Sequence, residues 1–287
     1  MKSKNRGILF ILLSAFCFAC MAVCVRMAGD VPTIQKSFFR NAVALLVALG
    51  VLLREHQGIA PASPRNWPTL LARSLFGTIG MLANFYAVDH LMLSDASMLN
   101  KMSPFFAVIA SCFILKEAIA PRQIFTLMGA FLGALLIIKP TLSNMDLIPS
   151  LVGLFGGICA GTAYTLVRKL GKMGERGPVI VFVFSAFSCL VALPWMLFAF
   201  HPMTWQQTAF LLGAGLCAAG GQFSITAAYC HAPAREISVY DYSQVIFSAF
   251  LGFLLFGDMP DLLSILGYIT ICSMAVVNFR MNNRKSV

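Results

Sequence analysis

Charge is what this sequence has least of. Only 11% of its 287 residues are Asp, Glu, Lys or Arg, while 59% are apolar and the mean hydropathy is +0.82. A soluble globular domain does not need so much apolar surface, so the composition excludes one and describes an all-α polytopic membrane protein. Acids are scarcer than bases, 11 against 21, which leaves a net charge of +10. That surplus does not point to nucleic acid, because the Lys and Arg stand mostly between apolar runs, where they orient helices.

Enzyme signatures are also missing. There is no G-x-S-x-G, no H-E-x-x-H and no phosphate loop, and His56, His90, His201 and His231 fall in loops or at helix ends. No metal site and no cofactor is expected, and the chain is expected not to be an enzyme. A membrane-embedded enzyme would need paired catalytic groups at one depth, for which only Arg40, Lys101 and Asp241 are available. The nine cysteines all lie inside apolar segments and offer no disulfide framework. Cys17, Cys20 and Cys24 share a helix face without a His or acid beside them and read as small packing residues.

Long loops are absent as well, so function must sit within the helices. What the chain has is ten apolar runs: Gly7 to Val25, Thr33 to Leu53, Trp67 to Val88, Ser94 to Leu115, Pro121 to Ile138, Leu147 to Leu170, Gly177 to Phe200, Trp205 to Cys230, Ala234 to Phe256 and Asp261 to Phe279. The first is too long for a signal-peptide core and lacks a small-x-small cleavage site, so it reads as a spanning helix. With the N-terminus in the cytoplasm, that side collects most basic residues, Arg65, Arg73, Arg122, Arg168 and Arg235 among them. The other side, or its half of the membrane, keeps Arg26, Lys36, Arg40, Lys101 and Lys139. Ten spans with both termini inside fit this distribution.

The second half echoes the first. Trp67 precedes Asn84-Phe85 by the interval that separates Trp205 from Gln222-Phe223, and His90 precedes Glu117 by the interval that separates His231 from Asp258. Two five-helix halves follow, residues 1–140 and 141–287. Because five is odd, they enter the membrane in opposite senses as inverted repeats, which commonly enclose a central site near the midplane.

The stretch from Ser94 to Glu117 stands out. At helical spacing Ser94, Ser97, Lys101, Pro104 and Ser111 fall near one face, which suits a helix lining a cavity. A bend is expected at Pro104, a hinge candidate, since proline removes a backbone bond and frees a carbonyl. In the ninth span Asp241, Gln244 and Ser248 form a similar stripe. Gly153, Gly157 and Gly161, with Gly129 and Gly133, form small-residue strips for close helix packing.

This pattern resembles the EamA-like members of the drug/metabolite transporter superfamily. The resemblance rests on the ten spans in two halves, a Pro-containing fourth helix ending in Leu115-Lys116-Glu117, a ninth ending in Phe256-Gly257-Asp258, and Tyr240-Asp241-Tyr242-Ser243. It implies a ten-helix bundle around a central cavity, moving small metabolites across the bacterial inner membrane, often outward. Lys101 is an unusual charge for that helix, and Pro104 has no proline partner at Gln244 or Val245.

Several residues are candidates for substrate contact. Arg40 and Lys101 lie at similar depth, roughly 10 Å in at ~1.5 Å per residue, and two cations at one level call for an anion between them. That anion is either a substrate group or a protein carboxylate, Asp89 or Asp95. Asp241, the one acid well inside a span, suits a substrate ammonium or a coupling proton, or else holds its tyrosine neighbours. Asn84, Gln222 and Gln244 offer amides to a ligand or a neighbouring helix, and Tyr86, Tyr164, Tyr229, Tyr242 and Trp195 offer rings or packing. The expectation is a secondary transporter working by alternating access on a small polar or amphipathic metabolite with an anionic group, an amino acid or its derivative above all. Membrane lipids surround it. A flippase for a lipid-linked carrier is the alternative, to be known by a lateral apolar cleft.

Overall fold

The computed structural model describes residues 2–55, 58, 60–90, 99–138, 147–257 and 259–283. Among these no strand occurs, and ten long helices follow one another: α1 (Lys2–Met27), α2 (Thr33–Glu55), α3 (Trp67–His90), α4 (Ser103–Leu115), α5 (Pro121–Ile138), α6 (Leu147–Lys172), α7 (Gly177–Phe198), α8 (Trp205–His231), α9 (Ser243–Phe256) and α10 (Leu262–Asn283). Seven stretches are long and apolar enough to cross a membrane: most of α1, α2, α6, α7, α8, the run from Ala234 to Phe256 and most of α10. α4 and α5 are shorter apolar helices; α3 has the length but carries Arg73 and Asn84. The protein is a polytopic helical membrane protein.

Its exposure pattern is that of a protein in lipid. Leu9, Leu46, Phe113, Leu197, Phe198 and Phe250 point outward, while Ser14, Gln35, Asn41, Arg73, Thr78, Gln222 and Asp241 are buried. A soluble protein sorts these residue types the other way.

Helices pair by close backbone approach. α1 runs along α8, α3 along α6, α5 along α10 and α2 along α7, while α4 lies on α6, α9 on α1, α2 on α8 and α3 on α7. Glycines set these distances. A Cβ at Gly161 would come within 2.6 Å of the Ala107 amide nitrogen and 2.7 Å of the Ser103 carbonyl, and one at Gly157 within 2.9 Å of the Leu99 carbonyl. Gly133 meets Gly267 and Ile271 of α10 in the same way. At such contacts van der Waals packing and small residues supply the association that water cannot drive inside lipid. The start of α8 is fixed by a capping box: Thr204 Oγ1 accepts from the Gln207 amide at 3.2 Å, and Gln207 Oε1 accepts from the Thr204 amide at 2.9 Å.

The fourth and ninth spans are interrupted. In place of one helix bent at Pro104, a turn at Lys101 and Met102 precedes α4, which starts at Ser103; Ser94 and Ser97 lie outside the described residues. Pro104 therefore occupies the first turn of a helix, where no N–H bond is lost, and it does not kink a helix interior as expected. The ninth span opens with the single turn Ala234–Ile237, passes into a 3-10 turn at Ser238–Tyr242 and only then becomes α9. Both helices close in the left-handed conformation, at Lys116 (φ 54°) and Gly257 (φ 72°).

Arg73 needs a second correction. It does not flank a membrane face as its place in the charge count supposes; it lies six residues beyond Trp67 within α3 and is only 2% exposed. At one end of the bundle Glu175 accepts from Asn66 Nδ2 at 2.7 Å and from the Ala62 amide, and Arg176 Nη2 donates to the carbonyls of Gly58 and Ala60, so the α2–α3 and α6–α7 connections are tied together.

Candidate functional site

The two interruptions meet. Lys101 Nζ lies 3.4 Å from Asp241 Oδ2 and donates to Gln244 Oε1 at 2.8 Å. Both charged residues are nearly sealed from solvent, Lys101 at 8% and Asp241 at 7% exposure. The local cause is the broken turn. The Phe105 amide donates to Met102 O at 3.0 Å, one residue short of the α-helical partner, which leaves the Lys101 carbonyl free; Tyr242 Oη donates to it at 2.9 Å. This carbonyl is freed by the turn and not by Pro104, whose missing N–H would have faced the carbonyl of Asn100.

Arg40 extends the polar centre from α2. Its guanidinium carbon stands 5.9 Å from the Phe18 ring, and its Nε has no hydrogen-bond partner among the described residues. Arg73 reaches in from α3. It stacks on Phe184 at 3.9 Å and directs Nη2 towards Gln222 Oε1 at 3.4 Å, while Nε and Nη1 find no partner. The room for it is made by Gly77, where a Cβ would collide with Nη1. Tyr164 and Tyr229 stack on one another, 5.1 Å between centroids and 9° between planes. Tyr164 is within electrostatic range of Arg40, Arg73 and Asp241 together. Arg40 and Tyr164 are surrounded by protein yet keep part of their surface accessible.

The remaining candidates are placed less centrally or differently. Gln222 belongs to the polar centre through Arg73, and beside it Gly221 receives the Phe18 ring, with Ser14 Oγ donating to the Gly221 carbonyl at 3.0 Å. Asn84 is partly buried where α3 meets Gly156 of α6. Tyr86 stacks on His90, 4.1 Å between centroids, and lines an apolar cleft of ≈ 550 Å³ with Ile34, Ile79, Phe85, Val152 and Phe155. Asp95 and the side chain of Asp89 lie outside the described residues; among the described residues the carboxylate that meets Lys101 is Asp241.

Sequence reasoning missed Arg73 and Phe184. The signal was there for Arg73, since Trp67 marks where the span begins and a cation six residues further in cannot reach the interface easily. Chemically, the centre has hydrogen-bond donors to spare and one carboxylate held in an ion pair.

A helical membrane protein with two interrupted spans facing each other across a buried ion pair has the build of a solute carrier. Residues 5–139 match the model of the EamA-like transporter family. The pseudopaline exporter CntI of Pseudomonas aeruginosa is 34% identical over 267 residues, covering 92% of this chain and 93% of the relative. Human solute carrier family 35 member G1 is 28% identical, covering 88% and 73%, and a riboflavin transporter of Brucella anthropi is 22% identical, covering 85% and 88%. A crystal structure aligns with a TM-score of 0.83 at 16% identity, over 99% of this chain and all of that one, which speaks for the fold alone. The chain belongs to the EamA-like transporter family, within the drug/metabolite transporter superfamily.

Proposed function

We propose that the protein is a secondary transporter that carries a small polar or amphipathic metabolite with an anionic group, an amino acid or its derivative above all, by alternating access of two inverted five-helix repeats, 1–140 and 141–287. The observation that carries this reading is the Lys101–Asp241 pair, held between the interrupted fourth and ninth spans. A zwitterion can exchange with such a pair, its carboxylate moving to Lys101 and its ammonium to Asp241, so that binding breaks one ion pair and makes two. A coupling proton is the other ligand that Asp241 suits. Arg40 adds positive charge to the centre, Gln244 and Gln222 orient the ligand, and the partial accessibility of Arg40 and Tyr164 supports a central cavity.

The helix pairing supports the repeat. Adding five to α1·α8 gives α6·α3, and adding five to α4·α6 gives α9·α1; α2·α8 gives α7·α3, while α2·α7 and α5·α10 map onto themselves. That is the pattern a twofold axis in the membrane plane produces. The left-handed ends of α4 and α9 obey the same exchange. The basic residues favour a bacterial inner membrane location with both termini cytoplasmic.

The test is counterflow of labelled amino acids and derivatives into proteoliposomes, with Lys101→Ala as the control. Lys101-dependent accumulation supports the reading; accumulation that survives Lys101→Ala removes the site from the centre of the mechanism. The cleft at Tyr86 favours one second reading, a flippase, since it is apolar and lies between α2, α3 and α6. Stabilisation by lipids but by no soluble metabolite would decide for it.

A further inference from the structure

We infer that Arg73 and Arg40 form a second anion subsite beside the Lys101–Asp241 pair, so that the preferred substrate carries two separated carboxylates. This deepens the transport reading and rests on it. Among the described residues, three cations converge on the polar centre, Arg40, Arg73 and Lys101, against one carboxylate, Asp241. Asp241 is taken by Lys101.

Arg73 carries the argument. A guanidinium has five N–H donors and stays charged, and enclosing one without a counter-ion costs several kcal/mol, on the order of what a buried ion loses in hydration. The Phe184 face returns on the order of 2 kcal/mol, and the single long contact to Gln222 Oε1 leaves Nε and Nη1 unpartnered. Arg40 repeats the pattern with its own unpartnered Nε. The two arginines lie within electrostatic range of each other, where like charges repel until an anion stands between them. One carboxylate bound at Lys101 would leave the arginines unanswered. A second, on the same molecule, brings the centre to neutrality and offers Arg73 the bidentate partner its geometry suits.

The probes are succinate, glutarate and citrate against acetate, propionate and glycine, each titrated at constant ionic strength into purified protein and read by thermal unfolding. Di- and tricarboxylates are expected to bind at least tenfold more tightly than the single-carboxylate probes. Arg73→Gln is expected to level that difference without weakening glycine or acetate, whereas Lys101→Met weakens both classes. If Arg73→Gln does not fold, Arg73→Lys and Arg40→Gln carry the same comparison. Equal affinity for both classes in the native protein, or a preference that persists in Arg73→Gln and Arg40→Gln, overturns the second subsite while leaving Lys101-dependent binding, and hence the transport reading, standing. Absence of binding by every probe overturns both.

Discussion

Lys101 and Asp241 stand at matching places, each two residues before the helix that completes its span, and their charged atoms lie 3.4 Å apart. In the proposed inverted repeat, residues close to the twofold axis meet their own counterparts, and these two would be counterparts of opposite charge.

Removing one partner leaves the other buried and unpaired. Lys101→Met or Asp241→Leu alone is predicted to destabilise the protein by ~3–5 kcal/mol. The double variant Lys101→Met/Asp241→Leu should recover most of the loss yet remain inactive in counterflow. Unfolding midpoints of the three variants check this, and a double variant no more stable than the singles would count against the pair.

Tyr242→Phe takes the hydroxyl from the Lys101 carbonyl, which the broken turn has left without another donor among the described residues. A loss of ~1–3 kcal/mol is expected for the orphaned acceptor. Transport should fall with it, since the turn that presents Lys101 is then unpinned. Unchanged stability would mean that water reaches this carbonyl.

Lys116 holds a left-handed conformation that L-residues with a Cβ adopt at a cost of ~1–2 kcal/mol. Lys116→Gly should therefore raise the unfolding midpoint. Gly257→Ala, at the corresponding end of α9, should lower it by a similar amount. Shifts of one sign in both variants would refute the assignment of the two ends as equivalents.

Glu117 binds Lys172 at 2.7 Å and lies 3.7 Å from Arg168, which also donates to the Cys230 carbonyl at 2.8 Å. These contacts join the end of α4 to α6 and α8. Glu117→Gln should favour opening of this end of the bundle, tenfold in population for each ~1.4 kcal/mol removed. Maleimide labelling of Cys230, followed by peptide mass spectrometry, is the readout, and a rate equal to that of the native protein excludes Glu117 as a latch.

The sequence makes the helices legible because hydrocarbon demands long apolar runs, and each of the ten runs contains a helix in the structure. The interruptions were not legible. A turn at Lys101 leaves no compositional trace, and Ser238 to Tyr242 reads as helix by pattern, because what holds both turns is contact between them. Lys101 and Asp241 could each be singled out as charges out of place, but their pairing needs two spans brought together from 140 positions apart in the sequence. Arg73 was hidden by a counting rule that credits every arginine near a span's end to the adjacent water. Tyr86 was chosen for its ring, which stacks on His90 and lines an apolar cleft.

The surplus of cations at the centre has an electrical consequence. An empty carrier with Arg40 and Arg73 unanswered bears charge that the membrane field can act on, worth ~2.3 kcal/mol for each elementary charge moved fully through 100 mV. A carrier filled by a doubly negative solute is neutral there and crosses its conformational step without sensing voltage. The rate of the return stroke, rather than of the loaded stroke, is then what an energised membrane sets, and transient currents on a solid-supported membrane should accompany turnover in the unloaded direction.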